Sequence, residues 1–152
     1  MITGAKIAIC YHRASYITVN DLAKIVSEAR TAGMIANKPE IVTIYTGYGK
    51  EKLEVLFETL DKTNIPVKHF MPTHVNRNQD ILMEAMKFAK MGGFMDLTAV
   101  PSKDFLHDLS AGEAVKESIS CGVPIDRITI SSDGNGSWSK YDKKGHLTKI
   151  GT

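Results

Sequence analysis

Apolar residues in this chain fall in short separated blocks, and their period alternates between that of a buried strand and that of an amphipathic helix. Residues 5–10 form an apolar run broken only by Lys6 and read as a buried strand. From Asp21 to about Ala32, Leu22, Ile25, Val26 and Ala29 recur at helical spacing, with Asn20 as the expected N-cap and Gly33 as the expected stop. The β-branched run 41–45 after Pro39 predicts a second strand, and Leu53, Leu56, Phe57 and Leu60 a second helix. A third strand is expected over 67–71, and a third helix over about 79–90, stopped by Gly92-Gly93. A fourth strand is expected over 94–99. The loop 100–108 carries Pro101, Asp104 and His107 without any period and is expected to be the most mobile segment. Ser110 and Glu113 have the spacing of a capping box and open a fourth helix that runs to about Cys121, with Gly122 as its stop. A fifth strand follows over 127–131, and 140–147 reads as a hairpin turning at Lys144-Gly145.

The order β-α-β-α-β-α-β-α-β with short connections predicts an α/β fold, and right-handed crossovers make all five strands parallel. Two architectures fit, an open doubly wound sheet or a partial (β/α)₈ barrel. Spacing alone favours the open sheet, because a complete barrel needs about 250 residues. In both, sites are built where strands end. That directs attention to Pro72-Thr73-His74-Val75-Asn76-Arg77-Asn78 and to Ser131-Ser132-Asp133-Gly134-Asn135-Gly136-Ser137, each of which follows an apolar run.

Composition adds exclusions. The 152 residues suffice for one domain with a real core, and 43% hydrophobic with 24% charged residues is ordinary for a soluble protein. The formal charge of +2, from 19 basic and 17 acidic residues with no basic block longer than Lys143-Lys144, gives nucleic-acid binding no support. No apolar run approaches the roughly 20 residues that span a bilayer. The N-terminus lacks the pattern of a signal peptide, so a cytoplasmic protein without a membrane partner is expected. Cys10 and Cys121 have no CxxC spacing and are expected to be small buried apolar residues in a reducing compartment.

Four side chains stand out chemically. Lys6 lies within an apolar strand, where an amine is costly unless paired, neutralised or modified, or unless its stem carries it out to solvent. His74 sits just past a strand end, where it is either a metal ligand or general base or a hydrogen-bonded turn residue. Arg77 can grip a carboxylate bidentately or be an ordinary surface arginine. Asp133 can ligate a metal or take a proton, although Asp-Gly-Asn-Gly is also turn chemistry. Asp96, in mid-strand, reads as a satisfied core or strand-end carboxylate. The chain has no complete phosphate loop, no Gly-x-Ser-x-Gly elbow, and no His-x-His or His-Glu-x-x-His among His12, His69, His74, His107 and His146.

Taken together, the 72–78 and 131–137 motifs, Gly92-Gly93 with Asp96-Leu97-Thr98, and Ser110-Ala111-Gly112-Glu113-Ala114-Val115 closely resemble the isoaspartyl (β-aspartyl) dipeptidases of the amidohydrolase superfamily. Leu147-Thr148 and Ile150-Gly151 continue the likeness, which runs in order over essentially the whole chain. The resemblance implies a (β/α)₈ barrel, of which these five strands would be the fourth to the eighth, in a single partial domain over 1–152. It implies zinc-dependent hydrolysis of β-aspartyl dipeptides by two bridged Zn²⁺ ions. Lys6 matches a carbamylated lysine that bridges the metals, His74 a metal-binding histidine, and Asp133 an aspartate that binds metal and handles the proton of the attacking water. Arg13, Arg77 and Ser137 match residues that hold the dipeptide's carboxylates and backbone.

The chain also departs from the family pattern. The family's first-strand His-x-His is missing, and no histidine occurs near Tyr45-Thr46-Gly47, where the fifth-strand histidine should fall. Tyr11 stands where an acidic residue is expected. Three remaining ligands can hold one zinc at most and cannot build a two-metal clamp. The expectation is therefore a truncated form with impaired or no independent activity. From a different class, the same residues fit a non-catalytic carboxylate-binding or assembly module. Five strands of an eight-stranded barrel leave two open edges, which predicts a homo-oligomer or a complementing barrel fragment.

Overall fold

The computed structural model describes residues 4–11, 16–100, 108–134 and 138–151. Five strands form one all-parallel sheet: β1 (Gly4–Ile9), β2 (Ile41–Thr46), β3 (Phe70–Thr73), β4 (Met95–Thr98) and β5 (Ile128–Ser131). Between them run α1 (Val19–Ala36), α2 (Glu54–Lys62), α3 (Gln79–Lys90) and α4 (Ala111–Ser120). The spatial order β1-β2-β3-β4-β5 is the chain order. A doubly wound sheet reverses its strand order at a switch point, whereas successive barrel strands do not. The open-sheet architecture that spacing favoured is thus set aside, and the fold is α/β with the topology of a partial barrel. A separate antiparallel hairpin, β6 (Trp138–Tyr141) and β7 (Leu147–Gly151), follows.

Parallel register sorts the strand residues into two faces, because side chains alternate along each strand. Val42, Ile44, Phe70, Met95 and Leu97 lie on one face and are fully buried in a core with Leu22, Val26, Leu56, Leu82 and Phe88 of the helices. Phe88 of α3 meets Phe70 edge-on at 6.4 Å between ring centroids. The other face carries Lys6, Thr43, Tyr45, Met71, Thr73, Asp96, Thr98, Thr129 and Ser131. The helix residues of the core pack with the first face.

Several expectations needed correction. The N-cap of α1 is Thr18, not Asn20; Thr18 and Asp21 make a reciprocal capping box. Gly33 does not stop this helix, which ends at Ala36 with Asn37 in the left-handed region (φ 50°). Gly33 is needed for space: a Cβ there would stand 2.5 Å from Glu40 Cγ, where the chain returns toward β2. Only the last two residues of the expected strand 67–71 are extended; Val67–His69 is a 3₁₀ turn and β3 begins at Phe70. A similar turn, Ile125–Arg127, precedes β5. Cys10 lies just outside β1 at φ 51° and is half-buried, and Cys121 is exposed, so the two cysteines are not the buried pair that composition suggested. The Ser110–Glu113 capping box is present as read. The hairpin is longer than read, and Asp142 closes its turn by accepting from the Lys144 and His146 N–H groups. Of the loop 100–108 expected to be mobile, residues 101–107 lie outside the described residues. No helix among the described residues is long and apolar enough to cross a membrane.

Candidate active site

The polar side chains converge beyond the C-terminal ends of the strands. β3 ends at Thr73, and His74, with its left-handed backbone (φ 64°), turns the chain into a 3₁₀ turn, Val75–Arg77. Asn78 then caps α3 by accepting from the Ile81 N–H at 2.9 Å. Asn76, fully buried, accepts from the Thr98 N–H at 2.8 Å and donates to the Thr98 and Leu109 carbonyls at 3.1 Å each. Its amide satisfies both backbone groups of Thr98 and so locks the end of β4 against the 75–77 turn. At the other end of the site, Gly47 donates to the Ile9 carbonyl at 3.0 Å, and a Cβ there would collide with the Cys10 carbonyl. Glycine lets the ends of β1 and β2 close up.

His74 is 1% exposed. Its Nδ1 lies 2.7 Å from Thr98 Oγ1, while Nε2 has no hydrogen-bond partner among the described residues and stands 3.6 Å from Asp133 Oδ2. Burial pushes the imidazole pKa down to about 4. Asp133 opposes that shift, and the Arg77 and Lys6 charges add to it. The ring is therefore neutral at pH 7. In the tautomer that donates Nδ1–H to Thr98 Oγ1, the Nε2 lone pair lies on the side of Asp133.

Arg77 is 5% exposed, and its Nη2 donates to the Tyr45 hydroxyl at 2.5 Å. The guanidinium carbon lies 4.9 Å from the Tyr45 ring and 4.8 Å from the Tyr48 ring. Nε is buried without a hydrogen-bond partner among the described residues. The Tyr45 ring in turn packs against His74 at 4.7 Å and against Tyr11 at 5.0 Å. Burial holds the Tyr45 phenol above its ordinary pKa, with Arg77 pulling the other way, so it is a neutral phenol at pH 7. Lys6 is exposed on the open face of the sheet, its Nζ 6.0 Å from the Tyr45 ring centroid. Its stem does carry the amine out of the core. Asp96 is a satisfied carboxylate, as read: it accepts from Thr73 at 2.5 Å and from Thr129 and Ser131 at 2.7 Å each, tying three strands together.

The structure thus brings His74, Arg77 and Asp133 together, with Lys6 near them on the same face. Arg13 and Ser137 lie outside the described residues. Reading the sequence assigned no role to Tyr45, Tyr48, Asn76 or Thr98; the one local signal was a tyrosine near the end of an otherwise aliphatic and hydroxylated strand. Asp133, at φ 50° with a half-exposed side chain, completes a two-donor pair with His74. Two ligands on a tetrahedral zinc stand about 3.3–3.5 Å apart, given metal–ligand distances of about 2.0–2.2 Å. The observed 3.6 Å and the unpartnered Nε2 suit such an ion. No group of three or more His, Cys, Asp or Glu converges on a metal position among the described residues. Among the described residues the set offers two of the three protein donors of a catalytic zinc site, and too few for a pair of ions.

In (β/α)₈ barrels sites are built at the strand C-termini, and the buried polar side chains of this partial barrel gather at that end. No family model matches the chain. Among solved structures, it is similar to the β-aspartyl dipeptidase of the thermophilic, keratin-degrading Fervidobacterium islandicum AW-1 in complex with β-Asp-Leu dipeptide. The identity is 38% and the TM-score 0.84, covering 99% of this chain and 38% of that one. A second structure of the dipeptidase from that organism matches at 38% identity and TM-score 0.79, over 88% of this chain and 35% of the other. In sequence and fold the chain is similar to part of these β-aspartyl dipeptidases and spans less than two-fifths of their length.

Proposed function

We propose that the strand-end site binds β-aspartyl dipeptides and, with one zinc held by His74 and Asp133, supports at most weak hydrolysis. The observation that carries this reading is the buried, neutral His74, whose Nε2 has no hydrogen-bond partner among the described residues and faces Asp133 at 3.6 Å. A zinc ion there would polarise the scissile carbonyl and acidify a water. Lys6, if carbamylated, would supply a third donor. The chain's own residues would do the rest: Asp133 would take the proton of the attacking water, while Arg77, with Arg13 and Ser137, would hold the substrate carboxylates and backbone. The exposed edges of β1 and β5 support assembly with further copies or with a complementing barrel fragment.

A second reading, a carboxylate-binding module without chemistry, is favoured by one observation: Arg77 is a buried cation with no carboxylate partner among the described residues, while the metal donors number only two. Metal content after zinc loading, turnover of β-Asp-Leu and calorimetric binding of the same dipeptide separate the two. Up to one zinc per chain with measurable turnover supports the enzyme. Binding without zinc or turnover supports the module. No binding at all would sink both.

A further inference from the structure

We propose that Tyr45 is a positioning residue that holds Arg77 in a carboxylate-receiving geometry, an inference that rests on the reading above that Arg77 receives a ligand carboxylate. Arg77 is a long side chain with many rotamers, on a 3₁₀ turn, and buried without a counter-carboxylate among the described residues. An uncompensated buried guanidinium needs something to fix it, or it swings out to water. Among the described residues its guanidinium donates from Nη2 to the Tyr45 hydroxyl, at 2.5 Å. The Tyr45 and Tyr48 rings, at 4.9 and 4.8 Å, hold the guanidinium by their π faces.

Tyr45 can serve as an anchor because it is itself fixed. It is a β2 residue paired with Ala8 of β1 and Thr73 of β3, and its ring is wedged against Tyr11 and His74. A neutral hydroxyl is the acceptor suited to this task. It orients Nη2 while leaving the positive charge uncancelled, which a carboxylate in the same place would not do. One N–H of Nη2 is committed to Tyr45. Among the described residues Nε–H is unpartnered, and it is the donor offered to an incoming carboxylate.

The test is a double-mutant cycle on β-Asp-Leu binding by the full chain, using Tyr45→Phe, Arg77→Lys and the double variant. Tyr45→Phe keeps the ring and its packing and removes only the acceptor of the buried Nη2, so the chain should stay folded with its melting temperature lowered by about 2–8 °C. Its affinity should fall about tenfold, the double variant should bind no more weakly than Arg77→Lys, and the Arg77 Nε–H nuclear magnetic resonance should move even in ligand-free Tyr45→Phe. Undiminished binding by Tyr45→Phe alongside weakened binding by Arg77→Lys overturns the positioning role alone, as does an unmoved Nε–H resonance. A parent that binds no dipeptide, or an Arg77→Lys variant that binds as tightly as the parent, overturns the reading beneath it.

Discussion

Thr98→Val isolates the bond that orients His74. The substitution keeps β-branching and strand preference, and it leaves the Asn76 bonds to the Thr98 backbone intact, so only the hydroxyl changes. That hydroxyl sits 2.7 Å from Nδ1 of an imidazole whose other nitrogen lacks a hydrogen-bond partner among the described residues. Losing the bond costs about 1 kcal/mol, and leaving the second nitrogen unsatisfied in the core costs about 1–3 kcal/mol more. The added methyl offsets about 0.8 kcal/mol of this. The net expectation is a loss of about 2 kcal/mol, or about 4–8 °C in Tm for a chain of this size. Urea denaturation should show the midpoint move at constant slope. Thr148→Val is the control, because its hydroxyl bonds the Lys140 carbonyl at 3.0 Å on an exposed hairpin where water can replace it; less than about 0.5 kcal/mol is expected there. In zinc-loaded protein, Thr98→Val should also weaken the metal about tenfold, since Nε2 is no longer aimed. A Thr98→Val protein within about 0.5 kcal/mol of the parent, or a Thr148→Val protein equally damaged, would refute the reasoning.

Two further outcomes follow from the same site. In metal-free protein the folded His74 pKa of about 4 lies below the ordinary 6.5, so the unfolded chain takes up the proton first. Its contribution is fully present above pH 6.5 and is lost as pH falls toward 4, a loss of about 3 kcal/mol; urea titrations at pH 7.5 and 4.5 should show that excess over His74→Gln. Asp96→Ala strands the buried Thr73 hydroxyl while Thr129 and Ser131 regain water, for a cost on the order of 2–3 kcal/mol by chemical denaturation. Asp96→Asn should recover about half of that, because its amide oxygen still accepts from Thr73 and Ser131 while Thr129 can turn to the Met95 carbonyl.

Much of the fold was legible because it is local. The 3.6-residue recurrence of Ile81, Leu82, Ala85, Met86 and Ala89 gives α3, which spans Gln79–Lys90 and buries all five. The Ser110–Glu113 box is a contact between residues three apart, visible in any listing of the chain. Boundaries were less secure where a distant segment decides them. Gly33 looks like a helix stop, yet it serves the close return of Glu40, and that approach belongs to the packing of the chain rather than to the sequence of the helix.

The site divides in the same way. The chain by itself marked His74, Arg77 and Asp133, because polar residues directly after apolar runs land at strand C-termini in any parallel fold. It left open whether Lys6 was buried or solvated. The tertiary structure decided that: Lys6 shares a face with Thr43 and Tyr45 rather than with the buried Val42 and Ile44, and it is exposed there. Only tertiary structure could bring Tyr45 onto Arg77, 32 residues away, or Thr98 onto His74, 24 residues away. Those pairings come from the register of β2 on β3 and from the β3–β4 neighbourhood, which no residue states alone. Periodicity fixes which face a side chain takes; register across the sheet fixes which side chains meet there, and the chemistry of this site resides in those meetings.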